Sequence, residues 1–142
     1  MVVFGEVRLV PISDLKPHER TIPETLGELV RSISEKGFFG PPVLIDSHSR
    51  AILDGHHRAG ALRALGCFFA PAILVSYSQV RVIHFSDPSK EFPKALVFSA
   101  ALSGKTFPPK TTRHIYPALE PVSFSLEILR MSEKKGDEER TE

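Results

Sequence analysis

Apolar positions along this chain change period several times, and each change marks an element. Val7 and Leu9 alternate with polar neighbours, which predicts a strand over 2–12. From Leu26 the spacing becomes i, i+3, i+4, i+7 through Leu29, Val30 and Ile33, the stripe of a helix with one buried face. Thr21-Ile22-Pro23-Glu24 reads as its capping box, with the proline early enough to be tolerated, and Gly37 as the residue that stops it. Val43-Leu44-Ile45-Asp46 is a continuous apolar run after two prolines, the pattern of a short buried strand. Ser47-His48-Ser49 turns the chain, and 50–53 returns as the second arm of a hairpin.

A helix of small and apolar residues then runs over 56–65 and stops at Gly66. Runs over 72–75 and 80–84 predict two more strands. Asp87-Pro88 has the form of a cap followed by a first-turn proline, but Pro93 delays regular helix to 93–102. The stretch 103–117 is rich in proline, threonine and basic residues and reads as an ordered loop leading to a short element over 122–129. Residues 132–142 are charged and poor in apolar side chains, so a disordered tail is expected after one domain over 1–131.

Composition narrows the function without naming it. A formal net charge of +1 supplies no global basic field, so a nucleic-acid partner is not expected. One cysteine, Cys67, excludes an internal disulfide and a cysteine-rich zinc site. Its place between Gly66 and two phenylalanines suits a buried structural thiol. No apolar run approaches the roughly 18 residues of a membrane span and no signal peptide is evident, so a cytoplasmic protein without a membrane partner is expected. Twelve prolines in 142 residues suggest stiffened loops. Oligomeric state is left open.

Three segments carry candidate chemistry. In Asp54-Gly55-His56-His57-Arg58 a sharp turn opens a helix, whose first N–H groups and macrodipole attract anions. Two imidazoles and a guanidinium add cationic donors, and Asp54 is a candidate metal ligand. Adjacent helical residues point roughly 100° apart, so the two histidines do not suit one shared metal. The bland alternative is one histidine capping the helix and the other exposed. His18-Glu19 places a carboxylate in the loop after the first strand, a general base if it reaches a hydroxyl and otherwise a solvated loop residue. Lys110-Thr111-Thr112-Arg113-His114 offers a row of donors suited to a carboxylate or phosphate, or simply a basic loop. Ser103-Gly104-Lys105-Thr106 imitates the end of a P-loop, but Ser99 stands where that motif needs glycine, and a helix precedes it where a strand is required.

Leu15-Lys16-Pro17-His18-Glu19, a helix, Pro42-Val43-Leu44-Ile45 and then Asp54-Gly55-His56-His57-Arg58 resemble the ParB/sulfiredoxin superfamily. That resemblance implies a small α/β (α+β) domain, a mixed sheet with packed helices. His56 stands where the sulfiredoxin branch carries its cysteine, so that redox chemistry is not supported. Among superfamily members the chain is most similar to the archaeal free-serine kinases, through its Pro-His-Glu element, its Asp-Gly-His-His-Arg box and Pro109-Lys110-Thr111-Thr112-Arg113-His114. The longer kinases carry an insertion before the last motif that this chain lacks, and both ATP and ADP stand as donors.

The resemblance implies phosphorylation of free L-serine to O-phospho-L-serine, feeding cysteine biosynthesis. Glu19 would be the general base and Asp54 would help hold Mg²⁺. Gly55, His56, His57 and Arg58 would hold the nucleotide phosphates, and Lys110, Thr111, Thr112, Arg113 and His114 the serine side. Phe85 is a candidate wall of the substrate pocket. The alternative is a nucleotide- or DNA-binding ParB-like module without turnover; a ParB-like nuclease fits the low net charge least well.

Overall fold

The computed structural model describes residues 5–131; the expected tail and the first residues of the expected opening strand lie outside them. In chain order the elements are β1 (Arg8–Pro11), α1 (Pro23–Lys36), β2 (Phe38–Gly40), β3 (Val43–Asp46), β4 (Ile52–Asp54), α2 (His56–Ala64), β5 (Phe69–Val75), β6 (Arg81–His84), β7 (Asp87–Glu91), α3 (Lys94–Ser103), β8 (Thr112–Ile115), β9 (Val122–Phe124) and α4 (Leu126–Leu129).

The central sheet runs β1-β5-β3-β4, with β5 and β3 parallel and the outer pairings antiparallel. It is mixed, as the resemblance implies. Both faces are covered, which explains the unbroken apolar run of β3. Val43 and Ile45 join a core with Ile33 of α1 and Ala61 and Leu62 of α2. Leu44, one residue out of phase, joins Leu53, Ile73, Val82 of β6 and Val97 of α3 on the opposite face. The second sheet, β7-β6-β8, therefore lies on the far side of the central sheet from α1 and α2. No helix among the described residues is long and apolar enough to cross a membrane.

Three local expectations are corrected. The residue preceding α1 is Ile22, and no side chain caps that helix. The Ile22 N–H is instead taken by His57 Nε2 at 2.9 Å, so a neighbouring helix supplies the acceptor that the capping box would have provided. Asp87-Pro88 opens β7, not a helix: Asp87 Oδ1 accepts from the Ser89 N–H and hydroxyl, and Pro88 is tolerated because β7 is an edge strand. Within the expected loop 103–117 lies β8, where Thr112 and His114 are buried and Arg113 and Ile115 exposed. Its buried face is polar, so hydrophobic alternation could not reveal it.

The P-loop mimic is rejected on geometry as well: Ser103 ends α3 and Gly104 is its left-handed cap, at the negative end of the helix dipole. Cys67 is buried, as expected, and burial raises its pKa despite nearby Arg130.

Candidate active site

The turn from β4 into α2 depends on one glycine. Gly55 has φ +102°, and a Cβ there would meet Val43 Cα at 3.3 Å and Arg58 Nη2 at 3.0 Å. Only the residue without a side chain lets α2 start this close to β3. His56 and His57 then point toward the loop before α1. His56 Nε2 accepts from the backbone N–H of His18 at 3.1 Å and of Glu19 at 3.4 Å, while His57 Nε2 serves Ile22. Neither histidine caps its own helix. Both pin the 18–22 loop, and with it Glu19, to α2.

Glu19 is held from the other side by β8. Its Oε2 accepts from the Thr112 N–H at 2.9 Å and from the Thr112 hydroxyl, and its Oε1 accepts from the Lys110 N–H at 3.1 Å. A carboxylate has about four lone-pair positions, so these contacts leave one open, on Oε1. Lys110 reaches this position with φ +60°, and its ammonium lies over the Phe85 ring. Behind Glu19, His18 is fully buried, its Nδ1 2.7 Å from the Ile52 carbonyl and its Nε2 2.9 Å from Thr112 Oγ1.

Glu19 and Asp54 both line a cavity of about 480 Å³, together with Arg113, His114, Phe85 and Tyr116. The Tyr116 hydroxyl donates to Asp54 Oδ2. A second cavity, of about 420 Å³, is also lined by Glu19 and His56, together with Arg20, Thr21, Gly60 and Arg63. Thr111 turns away, its hydroxyl donating to the Pro108 carbonyl at 2.7 Å. Arg58 is partly engaged: Nη2 donates to the Pro42 carbonyl at 3.4 Å, and the buried Nε has no partner among the described residues.

Electrostatics follow from this packing. Burial works to raise the Glu19 pKa, but the His18 imidazole 3.5 Å away and the hydrogen bonds from the Thr112 hydroxyl and N–H bring it down to about 2. His56 and His114 are driven down to about 3, first by burial and then by the neighbouring His18. His57 is lowered mainly by burial, with Arg58 and Lys110 adding to it against Glu19. Burial and Asp54 push the Tyr116 phenol up.

The three sequence motifs thus converge on one cavity through Glu19, Asp54, His56, Thr112, Arg113 and His114, while Gly55, His57, Arg58, Lys110 and Thr111 do not line it. Sequence reasoning gave no role to Tyr116, Tyr77 or the second-cavity arginines. Tyr116 follows Thr112 and His114 in steps of two, the spacing of one face of a strand, a signal hidden by reading 103–117 as a loop. Tyr77, whose hydroxyl is 2.7 Å from His114 Nε2, lies 37 residues away and carried none.

The family model described as the ParB N-terminal domain matches residues 2–86. The chain belongs to the ParB N-terminal domain family. An ADP-dependent L-serine kinase of Thermococcus kodakarensis is 30% identical over 87 residues, 58% of this chain and 33% of that protein. An ATP-dependent L-serine kinase of Staphylothermus marinus is 32% identical over 73 residues, 49% of this chain and 29% of that protein. The matched stretch spans about a third of the length of these relatives. A solved structure of a free serine kinase in complex with AMP has the same fold, with a TM-score of 0.75 at 18% identity, covering 87% of this chain and 93% of that one.

Proposed function

We propose that this chain transfers a phosphoryl group from an adenine nucleotide to the hydroxyl of free L-serine, giving O-phospho-L-serine for cysteine biosynthesis. The observation that carries the reading is Glu19: a half-buried, ionised carboxylate with one open lone pair, in a cavity it shares with Asp54 and Arg113. Phosphoryl transfer asks a protein mainly for positioning and charge neutralisation. Glu19 Oε1 takes the proton of the serine hydroxyl as its oxygen bonds to the terminal phosphorus. The bond from that phosphorus to the bridging oxygen breaks, and the nucleotide leaves one phosphate shorter. The Arg113 guanidinium pairs with the serine carboxylate.

The nucleotide phosphates lie at the start of α2. The Nε2 atoms of His56 and His57 are already occupied by the 18–22 loop, so the donors left are the backbone N–H groups of the first helical turn and Arg58. Among the described residues no group of three or more acidic, histidine or cysteine side chains could hold a metal ion. A cavity-lining carboxylate, Asp54, suits Mg²⁺, which commonly takes one or two carboxylates and completes its shell with phosphate oxygens and water. Asp54 is the carboxylate, oriented through Oδ2 by the Tyr116 phenol. When bound, the ion neutralises charge on the transferring phosphoryl group.

The test is to incubate the protein with L-serine and Mg²⁺ and either ATP or ADP, following phosphoserine by phosphorus NMR. Glu19→Gln should lose at least about 10²-fold in turnover while retaining nucleotide binding. Nucleotide binding with no phosphoserine from either donor would replace the kinase with a binding module.

A further inference from the structure

The hydrogen bonds behind Glu19 do not balance unless one extra proton is present. Three links run in series, from the Ile52 carbonyl to His18 Nδ1 at 2.7 Å, from His18 Nε2 to Thr112 Oγ1 at 2.9 Å, and from Thr112 Oγ1 to Glu19 Oε2. Each link needs its own hydrogen. The carbonyl can only accept, so Nδ1 carries one. A hydroxyl has a single proton, and Thr112 directs it at Glu19, which leaves Oγ1 able only to accept from Nε2. A neutral imidazole cannot supply both ring hydrogens.

The surroundings of Glu19 favour the ionised carboxylate over a protonated one. Oε2 accepts the Thr112 N–H and hydroxyl, and Oε1 accepts the Lys110 N–H. Against burial, the adjacent imidazole and the Thr112 bonds hold the carboxyl pKa down to about 2, so the missing proton belongs on the ring. We infer that His18 is a buried imidazolium whose charge is paired with Glu19 through the Thr112 hydroxyl, and that this chain aims and ionises the carboxylate. His18 is then a positioning residue. It is fully buried, lies 3.5 Å from Glu19 Oε2, and does not line either cavity.

The surroundings admit one cation and no more. The titratable groups packed on the His18 ring are Glu19, His56 with centroids 4.5 Å apart, and His114 at 5.5 Å. His56 Nε2 must stay bare to accept the loop N–H groups, and both outer histidines are held neutral down to about pH 3. Of three clustered imidazoles, only the one linked to a carboxylate keeps its charge.

The consequence for catalysis rests on the proposed kinase reading. The charge behind Glu19 holds Oε2 in the hydrogen-bonded chain, so the lone pair offered to a substrate hydroxyl is the one on Oε1. The proton gained there returns to solvent from the cavity, and His18 keeps its own throughout.

Two-dimensional long-range ¹H–¹⁵N correlation spectra of the full chain test this without substrate. At pH 7 both His18 ring nitrogens should give protonated signals, and Thr112→Ser, which keeps the hydroxyl, should preserve them. In Thr112→Val and Glu19→Gln the Nε2 signal should become that of a bare nitrogen. A bare Nε2 in the unmutated protein overturns the inference even if the variants fail to fold, as does an Nε2 that stays protonated in both folded variants. Phosphoserine formation, assayed separately, decides the kinase reading: turnover with a bare Nε2 rejects only the imidazolium, and a doubly protonated ring without turnover rejects only the kinase.

Discussion

Acidification should loosen this fold in a pH range where most domains are insensitive. His56 and His114 are neutral in the folded state, with pKa values near 3 against an ordinary value of 6.5. A histidine whose folded pKa is depressed contributes stability that is complete above its unfolded value and is lost as pH falls toward the folded one. Between about pH 6 and 3 the unfolded chain binds two protons that the folded chain refuses, so stability drops by about 2.7 kcal/mol per pH unit. From pH 6.5 to pH 5 the loss is about 3 kcal/mol, a large part of the 5–15 kcal/mol typical of a domain. Glu19, lowered to about 2 from 4.5, acts in the same direction but only below pH 4.5.

The assay is urea unfolding followed by far-ultraviolet circular dichroism at pH 6.5, 5.5 and 5. With m near 2 kcal/mol per molar, the midpoint should fall by about 1.5 M across that range. His56→Gln keeps an oxygen that can accept the loop N–H groups but cannot titrate, so it should roughly halve the slope. A flat profile, or an unchanged slope in His56→Gln, would refute the assignment of a neutral, loop-holding His56.

Other outcomes follow from single contacts. Gly55→Ala forces a left-handed φ on a residue with a side chain and puts its Cβ 3.3 Å from Val43 Cα, so it should cost at least about 2 kcal/mol in urea unfolding. An unchanged midpoint would mean that the β4–α2 turn is freer than its geometry implies. Tyr116→Phe removes the phenol from Asp54 and should raise the Mg²⁺ concentration needed for half-maximal phosphoserine formation; an unaltered magnesium titration would separate Asp54 from the metal. Arg113→Ala should raise KM for serine with little change in KM for the nucleotide, and the reverse pattern would place Arg113 on the donor side. Leu62→Ala, in the fully buried heart of α2, should destabilise by about 2–5 kcal/mol, read by the same unfolding assay.

Much of this protein is local, and what is local was legible in its residues. The stripe of Leu26, Leu29, Val30 and Ile33 specified α1, the run 43–46 specified a strand buried on both faces, and Asp-Gly followed by His-His-Arg marked a turn into a helix. Periodicity and backbone freedom act over a few residues, so a single chain displays them directly. The same holds for the chemistry of the motifs, which pointed to anions, a base and a carboxylate before any of them had neighbours.

Only the tertiary structure decided how those groups are used. The two histidines looked like phosphate donors, yet their Nε2 atoms accept hydrogen bonds from a loop some 35 residues earlier. Thr112 and His114 looked like part of a basic loop, yet they form the polar inner face of β8, which pairs with β6. Glu19 was a candidate base from its sequence, but the one lone pair it keeps open is set by Lys110 and Thr112, more than ninety residues away. A side chain's donors and acceptors are read from its type, but which of them are already satisfied depends on what folding brings within about 3 Å.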